Sequence, residues 1–148
     1  VFKNDQFVNF KIHTQYSICE GAVRIDELSD FCKEKKIKAL GVCDSFNLCG
    51  ALEFSEKISK SGTQPIVGSQ INFKYKDIIS KIPVFAKTSN GFKNLTKLSS
   101  RSYMESDEKS APHCKLNDLF ENGEDLIITS VECLLLKVSL LRIGNSKD

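Results

Sequence analysis

Ala39-Leu40-Gly41-Val42-Cys43 is a short, unbroken apolar run set between Lys38 and Asp44. A run of this kind suits a strand buried on both faces, as in a parallel sheet covered by helices. Upstream, Ile25, Leu28, Phe31 and Cys32 recur at helical spacing, with Asp26 and Glu27 at the start and Lys33, Lys35 and Lys36 at the end. Both charge placements favour the helix dipole. Downstream, the spacing predicts a second helix carrying Ala51, Phe54 and Ile58, capped by Asn47 and ended by Gly62. Pro65-Ile66-Val67-Gly68 then begins another strand that continues toward Phe73. Near the start of the chain, Phe7, Val8, Phe10 and Ile12 suit a further strand, which ends at His13-Thr14. The strand onsets are about one βαβ unit apart, on the order of 30 residues each. This alternation predicts a parallel α/β architecture, either a barrel or an open sheet.

Further along, Ile78-Ile79 and Ile82–Ala86 are strand-like. Ser89 or Asn90 is placed to cap a third helix bearing Phe92, Leu95 and Leu98. Met104–His113 is polar, contains Pro112 and reads as a loop. A short helix around Leu116–Phe120 leads through Gly123 to a buried strand at Leu126–Thr129. Val131–Ile143 is Leu-rich and reads as helical, before a polar tail at Gly144–Asp148. No internal repeat appears beyond the βαβ rhythm.

Composition bounds the function. A chain of 148 residues has room for a single domain, with 41% hydrophobic and 27% charged residues in ordinary globular balance. A net charge of +2 does not argue for a nucleic-acid surface. Apolar runs fall far short of the ~20 residues of a membrane helix, and no signal peptide is visible, so the cytoplasm is the expected compartment. The six cysteines, at 19, 32, 43, 49, 114 and 133, include no Cys-x-x-Cys pair, and His13 and His113 are far apart. A structural zinc module is therefore disfavoured, and the thiols read mostly as small buried hydrophobes in a reducing compartment.

In parallel α/β folds the chemistry lies at the carboxyl ends of the strands. His13, Asp44 and Gln70 fall at such ends. A divalent-metal hydrolase wants imidazoles and carboxylates converging there to activate water and neutralise phosphate. Here one imidazole, one carboxylate and one neutral amide are available, whereas catalytic ions usually keep three or more protein ligands.

The segments around these positions resemble, in order and spacing, the polymerase and histidinol phosphatase (PHP) domain that opens the alpha subunits of bacterial DNA polymerase III. They are Phe7–Ser17, Gly21–Leu28, Asp44–Phe54 and Gln64–Gln70, with weaker similarity at Asn90–Leu95 and Glu124–Ile127. The resemblance implies a distorted (β/α) barrel, incomplete in this chain, over a single partial domain spanning 1–148. Palm, fingers and thumb of a polymerase are expected to be absent. Metal-binding members carry alternating histidines on the first strand, and here the pattern reads Asn9-Phe10-Lys11-Ile12-His13. The family's Asp-His pair appears as Asp44-Ser45, and its Gly-x-Glu as Gly68-Ser69-Gln70. Asn9, Lys11, His13, Asp44, Ser45 and Gln70 are thus expected to be the positions of a vestigial metal site, with no catalytic residue among them. Lys11 is the most damaging change, since an ammonium in the cage repels a divalent cation.

Plainer roles compete at each position. His13 reads better as a hydrogen-bonded remnant at a strand end, with Asp44 as a candidate partner, than as a ligand. Turn formation or helix capping explains Asp44 as well as metal binding does. Lys11 is a candidate phosphate contact, though a lone Lys is usually solvated or salt-bridged. Cys43 and Cys49 flank the old site, and core packing is favoured over redox reactivity. Lys33–Lys38 reads as a solvated helix end rather than a nucleic-acid patch.

The resemblance therefore implies a non-catalytic scaffold that supports the polymerase and docks a separate proofreading exonuclease. Expected partners are the rest of the polymerase III core and, through the holoenzyme, DNA, with no membrane. No cofactor is expected. Zinc, manganese or magnesium enters only under the rival reading, a residual metal-dependent phosphoesterase using His13 and Asp44. A third reading is a remnant of a decayed or split gene.

Overall fold

The computed structural model describes residues 7–106 and 110–129. Its elements run α1 (Ile25–Lys35), β1 (Ala39–Ser45), α2 (Ala51–Lys60), β2 (Gln64–Tyr75), β3 (Ile78–Ala86), α3 (Ser89–Met104), β4 (Cys114–Lys115), α4 (Leu116–Glu121) and β5 (Leu126–Ile128). The strands form one five-stranded mixed sheet in the order β1-β2-β3-β5, with the short β4 also on β2. The β1-α2-β2 unit is parallel, as its rhythm predicts, with Asp44 opposite Ser69 and Ser45 opposite Gln70. The next strand departs from the parallel expectation. β2 and β3 are antiparallel, with Tyr75 opposite Ile78. Two residues cannot carry a chain back to the start of a parallel strand. Lys76 takes a left-handed backbone, φ 54°, to close the hairpin.

The register sorts the side chains onto two faces, because neighbours in a strand alternate. Leu40 and Val42 of β1 pack with Ile25, Leu28, Cys32, Phe54 and Ile58 of α1 and α2. Ile71, Phe73, Ile82 and Val84 pack with Leu95 and Leu98 of α3 and Leu116 and Leu119 of α4. The opposite face carries Cys43, Ser45, Gly68, Gln70, Asn72, Lys81, Pro83 and Phe85, which the pairings align in rows. This is the inner face of a partial barrel; Ser45, Gln70 and Lys81 of the candidate site lie on it, while Asp44, at the end of β1, has the parity of Leu40 and Val42.

The segment before α1 is extended along β1 but is not the regular strand expected over Phe7–Ile12. Its contacts are single bridges, Ile12 to Val42 and Thr14 to Val23. The Gly41 amide donates to the Asn9 carbonyl (2.8 Å) and the Cys43 amide to the Ile12 carbonyl (2.8 Å). Three residues on one side thus match two on the other, a bulge. The Asn9 side chain takes up the Lys11 amide released by it (3.2 Å). Gly41 permits the close approach, since a Cβ there would lie 2.7 Å from the Phe10 Cα.

Two caps fall one element-edge away from their expected positions. Thr88, rather than Ser89 or Asn90, caps α3 by accepting the Gly91 amide (3.1 Å). Asn47 does not cap α2, whose N-cap is Gly50. It closes the preceding loop instead, accepting the Cys49 amide and donating to the Tyr16 and Ser45 carbonyls. β5 is not buried among the described residues: Ile127 and Ile128 are 50% and 46% exposed. Cys32, Cys43 and Cys114 are buried, and Cys19 and Cys49 exposed. Cys133, the helix expected at Val131–Ile143 and the tail after it lie outside the described residues, as do 107–109 of the expected loop. Among the described residues no helix is long and apolar enough to cross a membrane.

Candidate functional site

Asp44, near the end of β1, is 3% exposed and organises the turn that follows the first extended segment. Its Oδ1 accepts the Thr14 amide (2.6 Å) and the Ser17 hydroxyl (2.6 Å), and its Oδ2 accepts the Thr14 hydroxyl (2.8 Å). Short bonds to a carboxylate are the strong kind, and they satisfy a buried charge with neutral donors. Ser17 is the hub. Its oxygen also accepts the Ser45 amide (3.1 Å) and stands 3.3 Å from His13 Nδ1. With the Ser17 proton directed to Asp44, His13 Nδ1 is the donor in that contact. His13 therefore pairs with Ser17 and reaches Asp44 only through it, so the direct His13–Asp44 pairing offered as a candidate does not form.

A second cluster adjoins the first across Ser45. The Ser45 hydroxyl donates to Glu20 Oε2 and also lies 3.3 Å from Gln70 Oε1. One hydroxyl proton serves one acceptor, and the charged carboxylate is the stronger. The other Glu20 oxygen, Oε1, accepts from Lys81 Nζ. The Lys81 ammonium, and after it the Ser45 hydroxyl, hold the Glu20 carboxyl below the usual glutamate range. Lys81 also lies 5.0 Å from the centroid of the Phe46 ring. Phe46 has a left-handed backbone, φ 62°, and donates its amide to the Gln70 carbonyl (2.9 Å). Such a backbone costs a bulky residue about 1–2 kcal/mol, and it sets the ring beneath the ammonium.

Of the six positions expected to mark the site, the fold joins four into this network: His13, Asp44, Ser45 and Gln70. Asn9 uses its side chain on the bulge of its own segment. Lys11 is half-buried beside Cys43, on whose thiol its charge acts. Burial dominates there and pushes the Cys43 thiol up to about 12, so no thiolate forms at neutral pH. Thr14, Ser17, Glu20 and Lys81 were not anticipated. Thr14 adjoins His13 and Ser17 lies four residues on, and both signal only short polar side chains. Lys81 is 61 residues from Glu20, and no local pattern points to it.

Does this donor set fit a divalent ion? Zinc and manganese sites take imidazole, thiolate or carboxylate groups with free lone pairs. Asp44 already accepts three hydrogen bonds, both Glu20 oxygens are engaged, and Ser45 and Gln70 are neutral oxygen donors. Among the described residues, no three His, Cys, Asp or Glu side chains are grouped so as to hold a metal. The chemistry of these residues fits an internally satisfied network better than an ion. On the helix-covered side of the sheet, a cleft of about 720 Å³ between α2 and α3 is walled by Leu52, Val67 and Phe92. It holds no pair of titratable groups that would suggest catalysis.

Known proteins place the chain among relatives. The PHP domain family matches residues 9–146. The DNA polymerase III subunit alpha of Rickettsia felis is 37% identical over 123 residues, covering 82% of this chain and 10% of its own length. That of Caulobacter vibrioides is 33% identical over 132 residues, covering 84% of this chain and 12% of its own. The chain thus spans about a tenth of the length of the curated relatives it matches. Among solved structures, one from Bifidobacterium adolescentis, assigned as a metal-dependent phosphoesterase, superposes with a TM-score of 0.52 at 17% identity. It covers 68% of this chain and 34% of the other, a likeness of fold.

Proposed function

This chain belongs to the PHP domain family, and on that premise we propose that it is the PHP module of a bacterial DNA polymerase III alpha subunit, acting as a non-catalytic scaffold. In this reading it forms one partial domain, works in the cytoplasm, and braces the polymerase. It offers a face to a separate proofreading exonuclease and meets DNA through the assembled holoenzyme. The observation that carries the reading is the state of Asp44. It is the one carboxylate retained at the family's ligand positions, and its three hydrogen bonds leave it engaged with Thr14 and Ser17. Asn9, Lys11, Ser45 and Gln70 supply no carboxylate or imidazole to complete a cage.

The test is metal content and calorimetric titration with zinc and manganese. The scaffold reading expects no stoichiometric binding. Stoichiometric binding that His13→Ala abolishes overturns it. The rival, a residual metal-dependent phosphoesterase, draws on one observation: Glu20 adds a carboxylate bonded to Ser45, the residue that follows Asp44. Manganese-dependent release of phosphate from a simple phosphoester would favour that rival.

A further inference from the structure

We propose that the cleft between α2 and α3 is a docking groove for an amphipathic helix of a separate protein, one that carries an acidic residue beside its apolar face. The inference rests on the scaffold reading, which needs a docking face, and names that face and the chemistry that fits it. The cleft follows from the topology. β1 and β2 are joined by α2, a crossover that lies over both strands. β2 and β3 are joined by the hairpin at Lys76-Asp77, so the seam between them receives no crossover helix of its own. α3, which follows β3, covers that seam at one end only. Ile71 and Phe73 of β2 and Val84 of β3 are sealed beneath it. Pro65 and Val67 of β2 and Ala86 of β3, on the same face of the sheet, are left half-buried at the other end. A sheet face is stabilised by covering it with another element, and helices cover the rest of this one.

The walls and the charge define the occupant. Leu52 of α2 and Phe92 of α3 flank the opening, 72% and 40% exposed. The cleft holds about 720 Å³, within the ~300–1,000 Å³ of pockets that enclose a compact ligand. That space suits the few bulky side chains by which an amphipathic helix anchors in a groove. Among the described residues lining the cleft, Lys87, just after β3, is the one ionisable group. It lies next to the start of α3, where the helix dipole is positive. Asp125, the carboxylate at that end of α3, is engaged by Thr88 and Asn90 and does not line the cleft. An apolar floor with a cation at its rim complements an aliphatic helix face flanked by a carboxylate, whereas a basic helix would meet like charge. A second copy of this chain is a poor occupant, because the described helices turn their apolar faces into their own core.

The experiment uses the whole 148-residue chain and labelled alanine-based helical peptides with leucines at i, i+3 and i+7. One peptide carries a flanking Glu and the other a Lys in its place, and binding is read by fluorescence anisotropy. The Glu peptide should bind saturably and at least roughly fivefold more tightly than the Lys peptide. Leu52→Asp should weaken that binding by at least about tenfold, with an unchanged melting midpoint. Lys87→Glu should reverse the preference between the two peptides. If Leu52→Asp does not fold, Lys87→Glu, at an exposed position, decides the matter by that reversal. Absence of saturable binding to the wild type overturns the proposal, as does equal affinity for both peptides or indifference of a folded Leu52→Asp. A concentration-dependent dimer that Leu52→Asp abolishes assigns the cleft to a second copy and overturns it too. Stoichiometric metal binding by the wild type would instead overturn the scaffold reading, so the two failures are distinguishable.

Discussion

At the scale of single residues, the end of β1 gathers hydrogen-bond donors on one buried carboxylate, Asp44. Thr14 is fully buried and gives both its amide and its hydroxyl to Asp44. Its oxygen also accepts the Tyr16 amide, 3.2 Å away. Thr14→Val keeps the shape and removes the hydroxyl, leaving a buried carboxylate one donor short. The expected cost is about 1–3 kcal/mol in urea unfolding. A change within about 0.5 kcal/mol, the scale of an exposed position, would show that the Asp44 cluster does not hold the turn. The identities of His13 and Asp44 were legible as candidates because they sit at strand ends. Their actual partners were not, since hydroxyl side chains such as Thr14 and Ser17 are too common to signal a site.

At the scale of elements, most boundaries follow from periodicity, and the exceptions have local causes. The cap of α3 moves to Thr88 because its hydroxyl reaches the Gly91 amide three residues on. The bulge beside β1 forms where Gly41 lets the Phe10 backbone approach. The β2–β3 pairing depends on a similar accommodation at Gly68, where a Cβ would lie 2.3 Å from the Phe85 ring and 2.8 Å from the Val84 carbonyl. That ring is buried and meets Phe10 edge-on, with centroids 5.9 Å apart. Gly68→Ala should therefore destabilise by about 1–3 kcal/mol through overpacking. Combined with Phe85→Leu, which frees the space, the loss should be less than the sum of the two single changes. Additive losses would place the strain elsewhere.

At the scale of the whole molecule, β2 is the spine. It pairs with β1 and β4 on one side and β3 on the other, while β5, among the described residues, pairs with β3 alone. Both core clusters rest on its helix-facing side through Val67, Ile71 and Phe73. Native-state hydrogen exchange should accordingly be slowest in the central part of β2 and fastest, among the strands of the sheet, in β5. Faster exchange in β2 than in β5 would mean that the sheet is not the unit that opens last. The α/β class, the helix–strand rhythm from Ile25 to Phe73 and the absence of imidazoles at Asn9, Lys11 and Ser45 were all present in the order of residues. Periodicity and side-chain chemistry are local properties, and these features need nothing more. The antiparallel turn at Lys76-Asp77, the bulge at Asn9 and the meeting of Lys81 with Glu20 came from the folded chain. Their partners are chosen by strand register and close backbone approach. Register carries Lys81 across 61 residues to Glu20, a distance over which no sequence pattern specifies a contact.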